Sequence, residues 1–481
     1  MASLTLSHPL RAAWSVLVAA VGVVSIAAFT IVALAFSSVD FLQFLFWCAV
    51  FFTALWMARP LSRRAFVGER NSFLYANLII WVFLMISGAV FIHNQTTASA
   101  EKGNVDPSAI YQALSWILSL AVLALITCFR PGYLRRLLRG PLKWAVIFAI
   151  VTMLSSPLSP KFAYSATLSF KLCIIVLTLC AIGEGVDDEA GIHSFFVALF
   201  VAMLIVVLAE FLRPIILSSD PFSGGRLGAM IGLSGTAGVL LLLSVLFLWL
   251  TKSPWFLLCA LFSVVVMMLA GTKGGMVASF VSLMMFFFFL KKPAQALLVS
   301  LVFSVIFALA LMFTPLGHAL QKYTEAGSAS TLTGRTDLWT ATWPSIKSHI
   351  VLGNGYRASR FLSAEVPGAF AEAGNMHNSF LEVLYNNGLA GLIPIVMMNL
   401  LIVFNLKEPI LRPVTSQQRY FAAAALALFT HIFVWGLIAA TFGGAPDDRF
   451  MVFFAVLVMS MFLRAQSDGK YRELVYGQHS H

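Results

Sequence analysis

The chain has 481 residues, of which 60% are hydrophobic and 11% charged, against roughly 25% charged in ordinary soluble domains. That balance excludes a soluble globular protein and predicts a polytopic membrane protein. The net charge of +11 resides partly in short clusters between apolar segments, such as RPLSRRAFVGER (59–70) and RPGYLRRLLRGPLK (130–143). Clusters so placed report membrane orientation and contact with anionic lipid, and they argue against a nucleic-acid partner.

A helix needs about 20 apolar residues to cross the ~30 Å hydrocarbon core. Fourteen candidate spans begin near residues 12, 41, 73, 108, 142, 162, 192, 229, 255, 275, 294, 388, 420 and 450. The first apolar run, from Ala12 to Phe36, is too long for a signal-peptide core and is expected to stay as a span. Cys48, Cys128, Cys173, Cys180 and Cys259 all lie within spans or at their ends, which argues against a disulfide scaffold or a thiolate metal site. With the N-terminus inside, the inner loops and tails hold 19 of the 31 Lys and Arg residues. The short outer connections 37–40, 94–107, 157–161 and 443–449 hold three between them, so both termini are expected in the cytoplasm. Lys171 and Glu210 fall at nearly the same depth in the sixth and seventh spans. Equal depth predicts that they pair, with Arg213 one turn above Glu210 as the competing partner.

The expected organisation is therefore all-α: eleven spans over 1–313, one large outer loop with short helices over 314–387, and three spans with a tail over 388–481. Upstream of the loop, DPFSGGRLGAMIGLSGTAG (220–238) places Arg226 in a Gly-rich entry to the eighth span. AGTKGG (270–275) places Lys273 in the tight turn between the ninth and tenth spans. Either cation alone reads equally as one that snorkels to lipid headgroups.

The loop differs from everything around it. It carries Lys322, Arg335, Lys347, Arg357 and Arg360 with His318, His349 and His377, and positive-inside statistics disfavour so many cations outside. A long ordered loop is usually functional. In TLTGRTDLWTATWPSI (331–346), Thr331 or Thr333 could cap a helix starting at Arg335. Trp339 and Trp343 then share its face, as an aromatic ledge for a sugar or as an interfacial belt. AGNMHNSFLEVLYNNGLAGL (373–392) predicts a short helix with Asn375 as N-cap, a stripe of Phe380, Leu381 and Leu384, His377 in its first turn, and Gly388 at its end.

Two arginines and a lysine, Arg226, Arg335 and Lys273, suit a highly charged oxyanion, and guanidinium forks match phosphate best. At the outer leaflet of a bacterial membrane the fitting diphosphate is a polyprenyl-diphosphate carrier holding a glycan. Arginines would stabilise the departing diphosphate. His377 would take the proton of an acceptor hydroxyl, a contribution of about 10²–10⁴-fold. A helix N-terminus disfavours further positive charge and would keep the imidazole neutral. No DxD, HExxH or His/Cys pattern occurs in the outer segments, so no metal is expected there. The adjacent acidic couple Asp447–Asp448 in GGAPDDRF reads as a solvated loop or a magnesium site.

TGRTDLW, LGNGY and MHNSFLEVLYNNGLAGL, in that order, resemble the signature of the bacterial O-antigen ligase and Wzy-type polymerase superfamily. The strong likeness covers roughly 331–392, with weaker support over 220–280. The resemblance implies a GT-C-like, metal-independent, inverting glycosyltransferase in the bacterial inner membrane, with no cofactor. It implies an undecaprenyl-diphosphate-linked oligosaccharide donor, and a glycan or lipid A–core acceptor. It also leaves room for a chain-length regulator as a partner. Carried over, Arg226 and Arg335 would hold the diphosphate and His377 would activate the acceptor, with Lys273, Trp339, Tyr356 and Asn378 as substrate contacts. Lys273 departs from the arginine common at that turn, keeping the charge but losing the fork. Fourteen spans and 481 residues favour a polymerase of repeat units, with a ligase or a protein O-oligosaccharyltransferase as the alternative that also fits the pattern. A lipid-linked-oligosaccharide flippase fits less well, because polarity gathers in an outer loop and not at the bilayer midplane.

Overall fold

The computed structural model describes residues 142–185, 189–217, 232–270, 272–298, 335–364, 375–413, 415–444 and 446–468, with isolated positions at 78–86, 116 and 301–305. Every regular element among them is helical. Apolar runs become helices because lipid offers no partner for the backbone, so each span must satisfy its own N–H and C=O groups. In order, the helices are α1 (Lys143–Ser155), α2 (Phe162–Gly185), α3 (Glu189–Leu217), α4 (Leu233–Thr251), α5 (Pro254–Ala270) and α6 (Lys273–Phe289). There follow α7 (Arg335–Ser348), α8 (Ser379–Leu411), α9 (Ser416–Gly436) and α10 (Asp448–Asp468). Six of these, α2, α3, α4, α8, α9 and α10, are long and apolar enough to cross a membrane, and α1, α5 and α6 are shorter apolar helices. Their starts match the sequence expectation from residue 142 onward. The four earlier candidate spans lie largely outside the described residues.

Two hydrophobic cores result. The large one fills the bundle with the inward faces of α3, α4, α9 and α10, where Leu199, Phe200, Leu240, Phe421 and Phe453 are buried. Helices approach closely where side chains are small. A Cβ on Gly235 would meet the Trp435 ring at 1.4 Å, and one on Gly238 would meet Ser279 Oγ at 2.2 Å. His431 closes this contact between α4, α6 and α9, with its Nε2 2.9 Å from the Gly235 carbonyl and its Nδ1 3.5 Å from Ser279 Oγ. The small core lies outside the bundle. Leu338 and Ile346 of α7 pack with Ala358, Leu362, Met376 and Tyr385. The helix α7 is otherwise polar and forms a layer over one end of the bundle.

The predicted pairing of Lys171 with Glu210 does not occur. Among the described residues no ion pair joins them. The Lys171 ammonium sits 5.5 Å from the Trp116 ring centroid with Asp447 and Asp448 as its electrostatic neighbours. Equal depth does not make two groups partners: Glu210 likewise has Asp447, Asp448 and Arg449 as electrostatic neighbours, so each of the two faces the 447–449 segment. The Asp447–Asp448 couple is likewise not a freely solvated loop. Asp447 pairs with Arg449 and accepts the Phe450 N–H as a helix cap, while Asp448 accepts the Thr236 hydroxyl at 2.8 Å. No group of three or more potential metal ligands occurs among the described residues.

Candidate functional site

Two of the layer's motifs, LGNGY and the 376–392 segment, meet at one break in a helix. Within α8, Gly388 has φ +61° and ψ −160°, which ends the short helix 379–387 and restarts a spanning helix at 389. A continuous helix would bond the N–H groups of Leu389 and Ala390 to the carbonyls of Tyr385 and Asn386. Instead those N–H groups donate to Ile350 and Val351, at 2.8 and 3.0 Å. The orphaned carbonyls of Tyr385 and Asn386 accept from Asn354 and Gly355, at 2.8 and 3.0 Å. The G-x-G turn thus fills the break with main-chain partners, as a buried backbone requires. A Cβ at Gly353 would lie 2.4 Å from the Asn386 carbonyl carbon, and one at Gly388 would lie 2.4 Å from Val351.

The same end gathers the connections predicted to lie outside. Gly355 lies against Ser159, and Asn387 Nδ2 donates to Ser155 Oγ at 2.7 Å. The Tyr356 hydroxyl donates to the Gly444 carbonyl at 2.9 Å. Tyr356 is fully buried, and through this bond it braces the turn.

His377 precedes the short helix by two residues. The N-cap is Asn378, not Asn375: its side chain accepts the N–H groups of Phe380 and Leu381 at 2.9 and 3.0 Å. Its amide group donates to the Leu437 carbonyl at 3.0 Å. These bonds tie Asn378 both to the short helix and to the 437–441 turn. Asn375 instead accepts the His377 N–H at 2.8 Å, and His377 has φ +50°. A non-glycine residue in that region costs about 1–2 kcal/mol. The imidazole is half-buried, and burial and then the neighbouring Arg335 guanidinium hold it below the ordinary histidine pKa. Among the described residues no hydrogen bond holds its ring. The expected neutrality thus has a different cause from the helix N-terminus invoked above.

Arg335 begins α7 as predicted and is brought to His377. The two tryptophans do not form one ledge. Trp339 is half-buried and donates to the Met376 carbonyl at 2.8 Å, while Trp343 is 44% exposed with Lys347 6.0 Å from its ring centroid. Lys273 opens α6, whose next residue, Gly274, lies against Ile438. That places the Lys273 turn and the Asn378 loop on one connection, the turn at 437–441. Arg226, Lys322 and His318 lie outside the described residues. Sequence reasoning passed over Glu382. This carboxylate is fully buried, pairs with Arg357 at 3.2 Å, and accepts Ser359 Oγ at 2.5 Å. It lies in the first turn of a helix, where a solvated glutamate also complements the helix dipole, so nothing local marks it as buried.

An apolar helical bundle with six helices long and apolar enough to cross a membrane, and a more polar layer over one end, is the build of an integral membrane protein. Residues 258–396 match the family Wzy_C, described as O-antigen ligase, so this segment of the chain is similar to that family. The matched segment contains Lys273, Arg335, the G-x-G turn, His377 and Gly388. No curated protein matches the chain.

Proposed function

We propose that the protein is a metal-independent, inverting membrane glycosyltransferase acting on the periplasmic face of a bacterial inner membrane. It moves a glycan from undecaprenyl-diphosphate to a sugar hydroxyl, and within that class it is a polymerase of lipid-linked repeat units. The observation that carries the reading is the juxtaposition of Arg335 with a half-buried, ring-accessible His377 in the matched segment. His377 takes the acceptor hydroxyl proton as the oxygen attacks the anomeric carbon from the face opposite the diphosphate. The bond from that carbon to the phosphate oxygen breaks, and the departing diphosphate carries the electron pair. Arg335, Arg226 and Lys273 neutralise it. The fourteen-span topology, with the 314–387 loop outside and both termini inside, belongs to the same proposal.

A second reading, transfer of a finished glycan to lipid A–core, is favoured by the description of the matching family as O-antigen ligase. Incubating purified protein with one species of undecaprenyl-diphosphate oligosaccharide and no other acceptor separates the two. A size ladder establishes a polymerase. An unchanged donor that is consumed once lipid A–core is added establishes a ligase. No consumption in either mixture overturns both.

A further inference from the structure

We propose that Glu382 and Trp339 are positioning residues that hold His377 in its left-handed backbone conformation, with the ring presented for proton transfer. This rests on the reading of His377 as the base.

Strained backbone persists only where the surroundings over-determine it. At His377 they do so through the residue before it. The Met376 N–H donates to Glu382 Oε2 at 2.8 Å, and the Met376 carbonyl accepts the Trp339 indole N–H at 2.8 Å. Both main-chain polar groups of Met376 are thus held by side chains from different helices, α8 and α7. Downstream, the capping bonds of Asn378 fix the other flank. The chain on either side of His377 is fully engaged, and rotating its φ to an ordinary value would break at least one of these bonds.

Glu382 is itself immobile. Its other oxygen accepts Ser359 Oγ at 2.5 Å, Asn386 Nδ2 at 3.1 Å and Arg357 Nη1 at 3.2 Å. Arg357 has φ +61° and lies at the end of the G-x-G turn, with Tyr164 as a further neighbour. A carboxylate suits this place because both its oxygens accept, one toward Met376 and one toward the Arg357 group. An amide supplies only one acceptor and would have to abandon one side. The arrangement also assigns Trp339 a task distinct from the sugar contact expected of it: through its N–H it ties the Arg335 helix to the His377 loop.

The test uses full-length protein in detergent or nanodiscs. It compares Glu382→Gln, Trp339→Phe, which keeps most of the ring packing and removes the N–H, and a control, Asn405→Ala. The control loses a buried bond to Ser460 elsewhere in the bundle. A misplacement of the base costs up to about 100-fold in rate. The expected result is a kcat lower by at least about tenfold in both variants, KM for the donor within about threefold, and a normal control. In parallel, the His377 ring NMR signal, assigned by its disappearance in His377→Ala, shifts in both variants and not in the control. If folded variants keep kcat within about threefold, or if KM rises with kcat unchanged, the proposal is overturned. If Glu382→Gln fails to fold, Trp339→Phe decides alone. Should the wild-type protein transfer no glycan, the function reading falls, and the ring signal still decides: displaced supports the positioning roles, unmoved overturns them.

Discussion

Two histidines mark the difference between the bundle and the layer above it. His431 is buried between three helices, and each ring nitrogen faces an oxygen, the Gly235 carbonyl or the Ser279 hydroxyl. His377 is half-exposed, sits in a costly backbone conformation, and among the described residues has no hydrogen bond to its ring. In the bundle, polar atoms serve to close helices that packing has already brought together. In the layer, the polar atoms of Glu382, Trp339, Asn375 and Asn378 are bonded, while those of the His377 ring have no hydrogen bond among the described residues. A residue whose hydrogen bonds are complete contributes to stability, whereas one that its neighbours hold open is available for chemistry.

The comparison is broken most directly at His377. His377→Ala should lower glycan transfer by about 10²–10⁴-fold, while thermal unfolding in detergent stays close to wild type. Comparable loss of both would mean that His377 is structural like His431. Next comes its neighbour. Arg335→Lys should cost about tenfold or more, because the ammonium keeps the charge but not the planar fork. The pH profile sharpens the same point. The neutral imidazole is the working form, so activity falls as pH drops through the His377 pKa. Burial and Arg335 place that acid limb below the usual histidine value of about 6.5. Removing the guanidinium, as in Arg335→Met, should move the limb to higher pH.

His431→Ala tests the other side of the comparison. It should destabilise the protein by about 1–3 kcal/mol, read from denaturation, with turnover per folded molecule within about twofold of wild type. The smallest expected effect has the opposite sign. His377→Gly should stabilise the fold by up to about 1 kcal/mol, by relieving the positive φ, and still abolish transfer. A stabilised, inactive variant separates the strain at this residue from any need of the fold for it.

Much of this was legible in the sequence, for reasons that differ by element. The six long apolar helices from residue 162 onward were readable because a lipid-embedded helix advertises itself by length and hydropathy alone. The start of α7 at Arg335 and the end of the short helix at Gly388 were readable because glycine and cap residues punctuate helices. The N-cap was misplaced by three residues, since Asn375 and Asn378 are equivalent by type and only His377's φ decides between them. What failed depended on contacts distant in sequence. Lys171 and Glu210 each have Asp447 and Asp448 as electrostatic neighbours, and Asp448 meets Thr236 across 212 positions. Glu382 and Arg357, the buried pair beneath the layer, carry no local mark that separates them from solvated charges.

The seam between the G-x-G turn and the broken helix is written in main-chain atoms. Such a seam is blind to most side chains: Ile350, Val351 and Leu352 supply its carbonyls or its spacing, and 37%, 63% and 42% of their surfaces remain exposed. Drift at those three positions should leave the junction intact. A single methyl group at Gly353 or Gly388 has nowhere to go. What descent can preserve here is therefore an interval and two missing carbons, which is why so sparse a pattern of letters can mark so specific a piece of architecture.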